Sequence, residues 1–227
     1  MRPRTRVARG LAAVGGLGPL VLLLGCGVTT QVRPVARGTW GVEAAVGGPL
    51  VRLYGGVLPV PLSSAGVRYG VAERADVAAH VHLTSLTFGL AGVDVGGSWL
   101  AVEQAGAVPA VSVGGRLYGF AQVLPGRDAS PRAYLELSPA VSYLFAERFL
   151  SYASASGLVQ FAGGRPLLSL AVGEEVRLAA SWGLCLEARW YEPQALTRFH
   201  AVDWVGVGER GALGVMLGAR YHFGGGP

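Results

Sequence analysis

Cysteine is scarce in this sequence, and the spacings that metal and nucleotide chemistry require are missing. Only two cysteines occur, Cys26 and Cys185. CxxC, HExxH and GxxxxGK patterns are absent, which argues against a thiol-ligated zinc site, a zincin-type protease centre and a P-loop. The sequence therefore predicts neither a metal nor a cofactor. If Cys26 is modified, Cys185 has no partner for an internal disulfide.

Lysine is absent altogether, so every basic side chain except histidine is arginine. Arg2, Arg4, Arg6 and Arg9 stand in the first nine residues, which contain no acid. The formal net charge is +5, and removal of these four arginines would leave +1. A nearly neutral chain lacks the basic surface that nucleic-acid binding requires. No nucleic-acid partner is predicted.

A hydrophobic run long enough for a spanning helix is also lacking. About sixteen apolar residues run from Gly10 to Gly25, interrupted by four glycines or prolines, whereas a spanning helix needs about 20. A charged start, a short apolar centre and a small-residue end are typical of a secretory signal. We interpret residues 1–25 as a signal peptide.

The end of this run carries a second signal. Leu23-Leu24-Gly25-Cys26 resembles the lipobox of bacterial lipoproteins. The resemblance implies cleavage before Cys26, a diacylglycerol on its sulfur and an acyl chain such as palmitate on its new amine. Gly27 follows the cysteine in place of the aspartate that often retains such proteins at the inner membrane, which favours outer-membrane delivery. Residues 26–36 would then be the lipidated cysteine and a tether; an ordinary signal peptide is the alternative.

No segment has a convincing helical period, and what recurs is alternation with period two. In "ADVAAHVHLT", Val77 and Val81 share one face, and Asp76 and His80 share the other. We expect one barrel domain at 37–223 and a tail at 224–227. Its ten strands are predicted at 37–47, 63–71, 75–85, 88–99, 109–119, 132–145, 150–161, 167–179, 184–192 and 212–223.

The connections between these strands tend to alternate between short and long. Tight turns at one end and long loops at the other are typical of outer-membrane barrels. The pattern predicts an all-β, antiparallel up-and-down transmembrane β-barrel of about ten strands, with eight as the alternative. An even number places both ends of the barrel on the periplasmic side.

The polar face of the strands carries as many acids as arginines. An enclosed interior could pair these charges, whereas a solvated face would not need to. The predicted lumen charge network is Glu43, Arg68, Asp76, Asp94, Arg116, Arg132, Glu136, Glu175, Arg177, Glu187, Arg189 and Arg220. His80, His82 and His222 share this face as polar lumen residues, because nothing fixes a third metal ligand.

The apolar face decides between a membrane barrel and a soluble one. It is built of small and aliphatic residues, with large aromatics at the strand ends, as in the girdles of membrane barrels. A soluble sandwich would place its aromatics in mid-strand. The aromatics at the predicted periplasmic ends are Trp40, Trp99, Tyr143, Phe145, Tyr221 and Phe223, and those at the opposite ends are Phe161 and Trp190.

The last predicted strand resembles the C-terminal assembly signal of outer-membrane barrels, through Gly218, Tyr221 and Phe223. The resemblance implies recognition by the barrel-assembly machinery. Met216 and the "GGGP" after Phe223 depart from the pattern. The alternation as a whole is similar to that of small OmpA and porin-like barrels, without a motif that names one family.

Two long connections are candidates for binding. Arg198, His200, Asp203 and Trp204 lie in the loop 193–211 and suit a surface protein or lipopolysaccharide, although a plain solvated loop has the same composition. Catalysis by His200 and Asp203 is the least favoured interpretation. The apolar loop 47–62 could fold over the barrel mouth or dock a partner.

The function expected from the sequence is a structural or surface-binding role, without enzymatic activity. The protein would be a lipid-modified barrel in a Gram-negative outer membrane, anchored at its N-terminus and in contact with outer-membrane lipid. The alternative is a lipid-anchored soluble periplasmic barrel that binds a small apolar ligand. An outer-membrane hydrolase is a distant third. Side chains should largely fill a lumen of about ten strands, which argues against an open pore.

Overall fold

A computed structural model describes residues 27–124, 130–198 and 200–223. The predicted signal peptide, Cys26 and the tail 224–227 lie outside these residues. Within them the chain forms eleven strands and one short helix. They are β1 (Trp40–Leu53), β2 (Gly56–Pro59), β3 (Leu62–Ala72), β4 (Ala75–His82), α1 (Leu83–Thr87), β5 (Leu90–Val102), β6 (Ala110–Gln122), β7 (Arg132–Phe145), β8 (Phe149–Gln160), β9 (Leu167–Arg177), β10 (Trp182–Leu196) and β11 (Arg210–His222).

Ten of the strands close into an antiparallel barrel. Each pairs with the next along the chain from β3 to β11, β1 pairs with β3, and β11 returns to pair with β1. At the closing seam Ala45 lies opposite Gly218 and Val42 opposite Tyr221. The up-and-down order predicted from the alternation is confirmed with ten strands, and the eight-strand alternative is wrong.

Two ends of the barrel follow from this order. The turn end is where β1 begins and β11 ends, and it carries the connections 73–74, 103–109, 146–148 and 178–181. The loop end carries the β1–β2 hairpin and the connections 83–89, 123–131, 161–166 and 197–209.

Two loop-end connections differ from the sequence-based expectation. The strand predicted at 75–85 stops at His82, and α1 follows. Helix α1 has five residues, and the described ranges contain no helix long and apolar enough to cross a membrane. The predicted loop 47–62 is an extension of β1 that pairs with β2 from Leu50↔Pro59 to Leu53↔Gly56.

The turn of the hairpin has a backbone conformation that its sequence favours. Tyr54 and Gly55 form its two-residue connection, with φ of 52° and 78°. Positive φ at both positions is what a type I′ turn requires, and this turn matches the twist of the flanking strands. "YGG" between apolar runs was therefore a usable hairpin signal.

The exterior of the barrel is apolar, and its aromatic side chains lie at the ends. Val77, Val81, Leu117 and Leu137 are among many exposed aliphatic side chains. At the turn end, aromatic rings meet in pairs: Trp40–Tyr69, Tyr143–Phe145, Trp182–Tyr221 and Tyr221–Phe223, with centroids 4.6 to 5.0 Å apart. An apolar band bordered by an aromatic girdle is the outer surface of a transmembrane β-barrel.

Arginine substitutions on one strand test which part of the barrel exterior faces the middle of the bilayer. Leu137 lies in the middle of β7 with 56% of its surface exposed, and Phe145 ends the same strand in the girdle. We expect Leu137→Arg to lower the free energy of unfolding in lipid vesicles by about 2–4 kcal/mol, and Phe145→Arg by about 1 kcal/mol or less. Urea titrations followed by tryptophan fluorescence measure both. Equal losses would mean that the middle of β7 does not face lipid.

Candidate functional site: a filled lumen and the loop end

The lumen contains the chain's own residues 27–36, here called the lumen segment. Its apolar side chains Val28, Val32 and Val35 are buried inside the barrel. The segment leaves the lumen at the turn end, where Thr39 N donates to Ala36 O at 3.1 Å and the chain reverses into β1. Gly38, with φ of 77°, occupies the turn position that favours glycine. The region expected to be a tether therefore occupies the interior.

The barrel wall holds the segment largely through its main-chain carbonyls. Such contacts depend on the main chain of the segment, whatever side chains it carries. The donors are Ser64 Oγ to Gly27 O at 2.6 Å, Arg189 Nη2 to Val28 O at 3.3 Å, Arg220 Nη2 to Thr30 O at 3.0 Å, and Arg68 Nη2 to Arg33 O at 2.8 Å.

Buried carboxylates bind the main-chain N–H groups of the same segment. Thr30 N donates to Glu187 Oε2 at 2.8 Å, and Val35 N donates to Asp76 Oδ2 at 3.0 Å. Gln31 adds a side-chain contact, with its Nε2 donating to Glu43 Oε1 at 2.9 Å. The segment thus joins the polar network of the wall, because several wall charges have a segment atom as one of their partners.

Most of the predicted lumen charges are buried in this network. The buried carboxylates are Glu43, Asp76, Asp94, Glu136, Glu175 and Glu187, and the buried arginines are Arg68, Arg116, Arg189 and Arg220. Arg68 pairs with Asp76 and Arg220 with Glu175. Arg189 Nη2 lies 2.6 Å from Glu187 Oε1, and Arg116 Nη1 lies 3.3 Å from Asp94 Oδ1. The remaining two predicted members, Arg132 and Arg177, are half-buried and lie at opposite ends of the barrel.

Two histidines also join this network, in which all the predicted cations were arginines. His80 Nε2 lies 2.5 Å from Glu43 Oε1, and its Nδ1 lies 2.9 Å from Asp94 Oδ1. His82 Nε2 lies 2.9 Å from Asp94 Oδ2. His222 is half-buried at the turn end. Within the described ranges, no group of three or more metal-ligating side chains is arranged to hold an ion.

Apolar contacts and close packing complete the filling. Val32 packs with Leu150, Tyr152 and Cys185, the described cysteine, which is free and buried. Between the segment and the wall near Arg116 remains a gap of about 20 Å³, room for about one water molecule. Beside the segment near Arg116, a small apolar ligand would therefore meet little free space and several buried charges.

Glycines on the lumen face make room for the segment. A β-carbon at Gly70 would lie 2.1 Å from Ala36 O and 2.6 Å from Val35 O, and one at Gly218 would lie 3.1 Å from Thr29 Cγ2. Gly218 was predicted as part of an assembly signal, and the structure gives it this contact as well. Tyr221 and Phe223, the other members of that predicted signal, stack on each other in the girdle.

We expect Gly70→Ala to displace the segment at Val35 and Ala36 and to cost about 1–3 kcal/mol, the usual cost of overpacking. The matched control is Gly115→Ala, whose β-carbon would meet only Leu137 Cδ2 at 3.7 Å on the lipid side. Urea unfolding in vesicles compares the two variants. A Gly70→Ala protein as stable as the control would show that the wall and the segment are not in tight contact.

The candidate loop residues have different surroundings. Trp204 is 7% exposed and packs against Tyr191 and Ala212 beneath the β1 extension, so its ring is not available to a surface partner. Asp203 is exposed and pairs with Arg52 of that extension at 3.1 Å. The loop backbone adds Val205 N to Leu50 O at 2.9 Å. This loop therefore packs onto the hairpin and forms part of the loop-end surface.

Arg198 and His200 lie in the exposed part of the same loop. Arg198 Nη1 lies 3.6 Å from Glu209 Oε2, and His200 N donates to Thr197 O at 3.0 Å. Among the hydrogen bonds of the described residues, none joins His200 to Asp203. The loop geometry does not assemble the pair that general acid–base chemistry would need.

The hairpin presents an exposed apolar ridge at the loop end. Tyr54 at its tip is 96% exposed, and Leu53, Val57 and Leu58 beside it are about half exposed. Exposed apolar side chains grouped in this way are typical of contact with lipid or with a partner.

No family model matches the chain, and no curated protein resembles its sequence. Solved structures with a similar fold include an outer-membrane channel from Pseudomonas putida, at 8% identity and a TM-score of 0.45, covering 86% of this chain and 99% of that one. The NanC porin has 11% identity and a TM-score of 0.44, over 80% and 98% of the two chains. The outer-membrane protease OmpT from Escherichia coli has 10% identity and a TM-score of 0.36, over 86% and 99%. At these identities nothing about ligands or activity follows for this chain.

Proposed function

We propose that this protein is a closed outer-membrane barrel that acts through its loop-end surface, with a structural or binding role rather than transport or catalysis. The observation that carries the proposal is the occupied lumen. Residues 27–36 lie where a pore or a ligand site would be, and buried charges of the wall bind their backbone. Ordered charge pairs around this segment favour a closed and rigid barrel.

The apolar exterior and the girdle support placement in a membrane, and short turns opposite longer loops support the outer membrane. The signal peptide and the lipobox-like Leu23-Leu24-Gly25-Cys26 support export and acylation. An acyl anchor adds little to the membrane affinity of a barrel that already spans the bilayer. We therefore assign the lipid a role in delivery and in positioning the N-terminus.

Conductance tests the central claim. The purified protein, reconstituted in planar bilayers, should show no resolvable current, and unheated protein should run faster than boiled protein on a detergent gel. Steady channel openings by a protein with this gel shift would overturn the closed-barrel proposal.

Acylation has its own test. Cells grown with radiolabelled palmitate should label the protein, and Cys26→Ala should abolish the label while the gel shift stays. Cys185→Ala is the matched control, because the described cysteine is buried beside Tyr152. A label that survives Cys26→Ala would contradict acylation at Cys26.

The hairpin is the surface that the proposal assigns to binding, with lipopolysaccharide or a surface protein as the partner. Tyr54→Ser with Val57→Asp removes apolar area from its exposed ridge without touching the barrel wall. Co-purified lipopolysaccharide per mole of protein should fall in this variant, while Val108→Asp, an exposed change at the turn end, should leave it unchanged. A release of hydrolytic products that His200→Ala abolishes would instead support the enzyme alternative.

A further inference from the structure

The lumen segment has a direction, and that direction places the beginning of the mature chain. Val35 is bound near the turn end, where Asp76, the second residue of β4, accepts its N–H. Gly27 is bound near the loop end, where Ser64, the third residue of β3, donates to its carbonyl. Going from Ala36 back to Gly27, the chain runs through the barrel from the turn end toward the loop end.

The contacts of the segment extend along most of β3. Gly27 contacts Leu62 and Ser64 at the start of that strand, and Ala36 O lies against Gly70 near its end. Contacts with Thr30 through Glu187 and Arg220 lie between the two ends. The segment is therefore bound along its length.

This direction conflicts with the usual position of a lipoprotein anchor. Residue 26 can lie no more than about 3.6 Å along the chain beyond Gly27, whereas the opposite interface lies across an apolar band about 25 Å tall. An acyl group on Cys26 cannot reach the periplasmic leaflet while Gly27 stays bound to Ser64.

We propose that the N-terminus of the mature chain reaches the cell surface through the lumen of its own barrel, so that the acyl chains of Cys26 contact the outer leaflet at the loop end. The inference rests on the proposed outer-membrane location and on acylation of Cys26. In this arrangement the lumen segment connects the barrel to a lipid anchor at the loop end, on the same face as the hairpin ridge.

Epitope accessibility on intact cells tests the orientation. One variant carries an epitope that begins with glycine between Cys26 and Gly27, so that no acidic residue follows the cysteine. A second variant carries the same epitope at Gly55 in the hairpin, and a third carries it after Phe223 at the turn end. We expect antibody to bind the first two on intact cells and the third only after permeabilisation. An epitope after Cys26 that is reached only after permeabilisation, while the Gly55 epitope is exposed, would overturn the inference.

The three epitope variants also distinguish failure of this inference from failure of the proposed function. If the Gly55 epitope is hidden on intact cells and the gel shift is missing, the outer-membrane barrel itself is refuted. If the Gly55 epitope is hidden but the shift is present, the assumed orientation is reversed and the surface route is overturned.

Disulfide cross-linking tests whether Gly27 lies at the loop end, in a protein that carries no inserted epitope. A β-carbon at Gly27 would lie 3.3 Å from Leu62 Cβ, close to the separation that a disulfide bridges. In a Cys185→Ser background, Gly27→Cys with Leu62→Cys should cross-link on mild oxidation, and Gly27→Cys with Ser98→Cys should not, because Ser98 lies beside Asp76 near the turn end. Cross-linking to Ser98→Cys in place of Leu62→Cys would mean that the segment does not run to the loop end.

Discussion

Deletion of residues 28–35 should convert a silent barrel into a conducting one. An extended chain occupies a width of about 5 Å in the sheet direction, and its removal leaves a water-filled path lined by Glu43, Glu187 and Arg189. The wall charges would remain solvated, because water can replace the backbone groups of the segment. We expect step-like openings in planar bilayers where the intact protein shows none, and a modest loss of thermal stability.

Two controls make this result interpretable. Gly115→Ala changes the lipid-facing side of β6 and should stay silent. The deletion variant must also keep the gel shift between unheated and boiled protein, since a misassembled barrel could leak at its seam. A folded deletion variant without current would show that wall side chains close the lumen by themselves and that the segment is not the plug.

The barrel was predictable because its physical signal repeats along the chain. Alternation such as that of Val77, Ala79 and Val81 must recur in every strand when one side faces lipid and the other faces a polar interior. Ten separate segments therefore supported one architecture, and local errors such as the end of β4 at His82 did not change it. Helix α1, in contrast, is a single turn whose sequence carries no period to detect.

The lumen segment was not predictable in this way, because its partners are dispersed over the whole chain. Thr30 meets Glu187, which lies 157 residues away, and Thr29 meets Arg220, 191 residues away. Most of these contacts join a main-chain group or a small polar side chain to a charge, so the segment itself has no distinctive composition. The signal that could have indicated it is on the wall, where glycines such as Gly70 and Gly218 leave space on a face otherwise lined by charges.

Burial also determines which loop residues are available to bind a partner. Trp204 has the residue type expected of a binding site, but sequence cannot tell an exposed tryptophan from one that anchors a loop. The contact of Trp204 with Tyr191 depends on the β1 extension, whose Val51 pairs with Trp204. The residues of this extension were expected to form a loop. The exposed apolar surface therefore lies on the hairpin, around Tyr54.

Glu187→Ala should be the most destabilising single change in the wall. Glu187 is completely buried and accepts hydrogen bonds from Arg189 Nη2 at 2.6 Å, from Tyr152 OH at 2.8 Å and from Thr30 N at 2.8 Å. Its loss removes the carboxylate that is paired with the buried guanidinium of Arg189, a change that costs about 3–5 kcal/mol in protein interiors. Urea unfolding in lipid vesicles measures the loss, and Glu187→Gln should lose less because it keeps an acceptor for Thr30.

Two further variants test whether this loss of stability comes from contacts inside the lumen. One changes an exposed ion pair, and the other combines Glu187→Ala with deletion of the segment. Glu73, 81% exposed and 3.9 Å from Arg37, should cost about 1 kcal/mol or less when changed to alanine. Combining Glu187→Ala with deletion of 28–35 should cost less than the two changes added, because both remove the contact with Thr30 and the deletion lets water reach Arg189. Full additivity would mean that Glu187 stabilises the wall alone, and that the segment occupies the lumen without being bound by its charges.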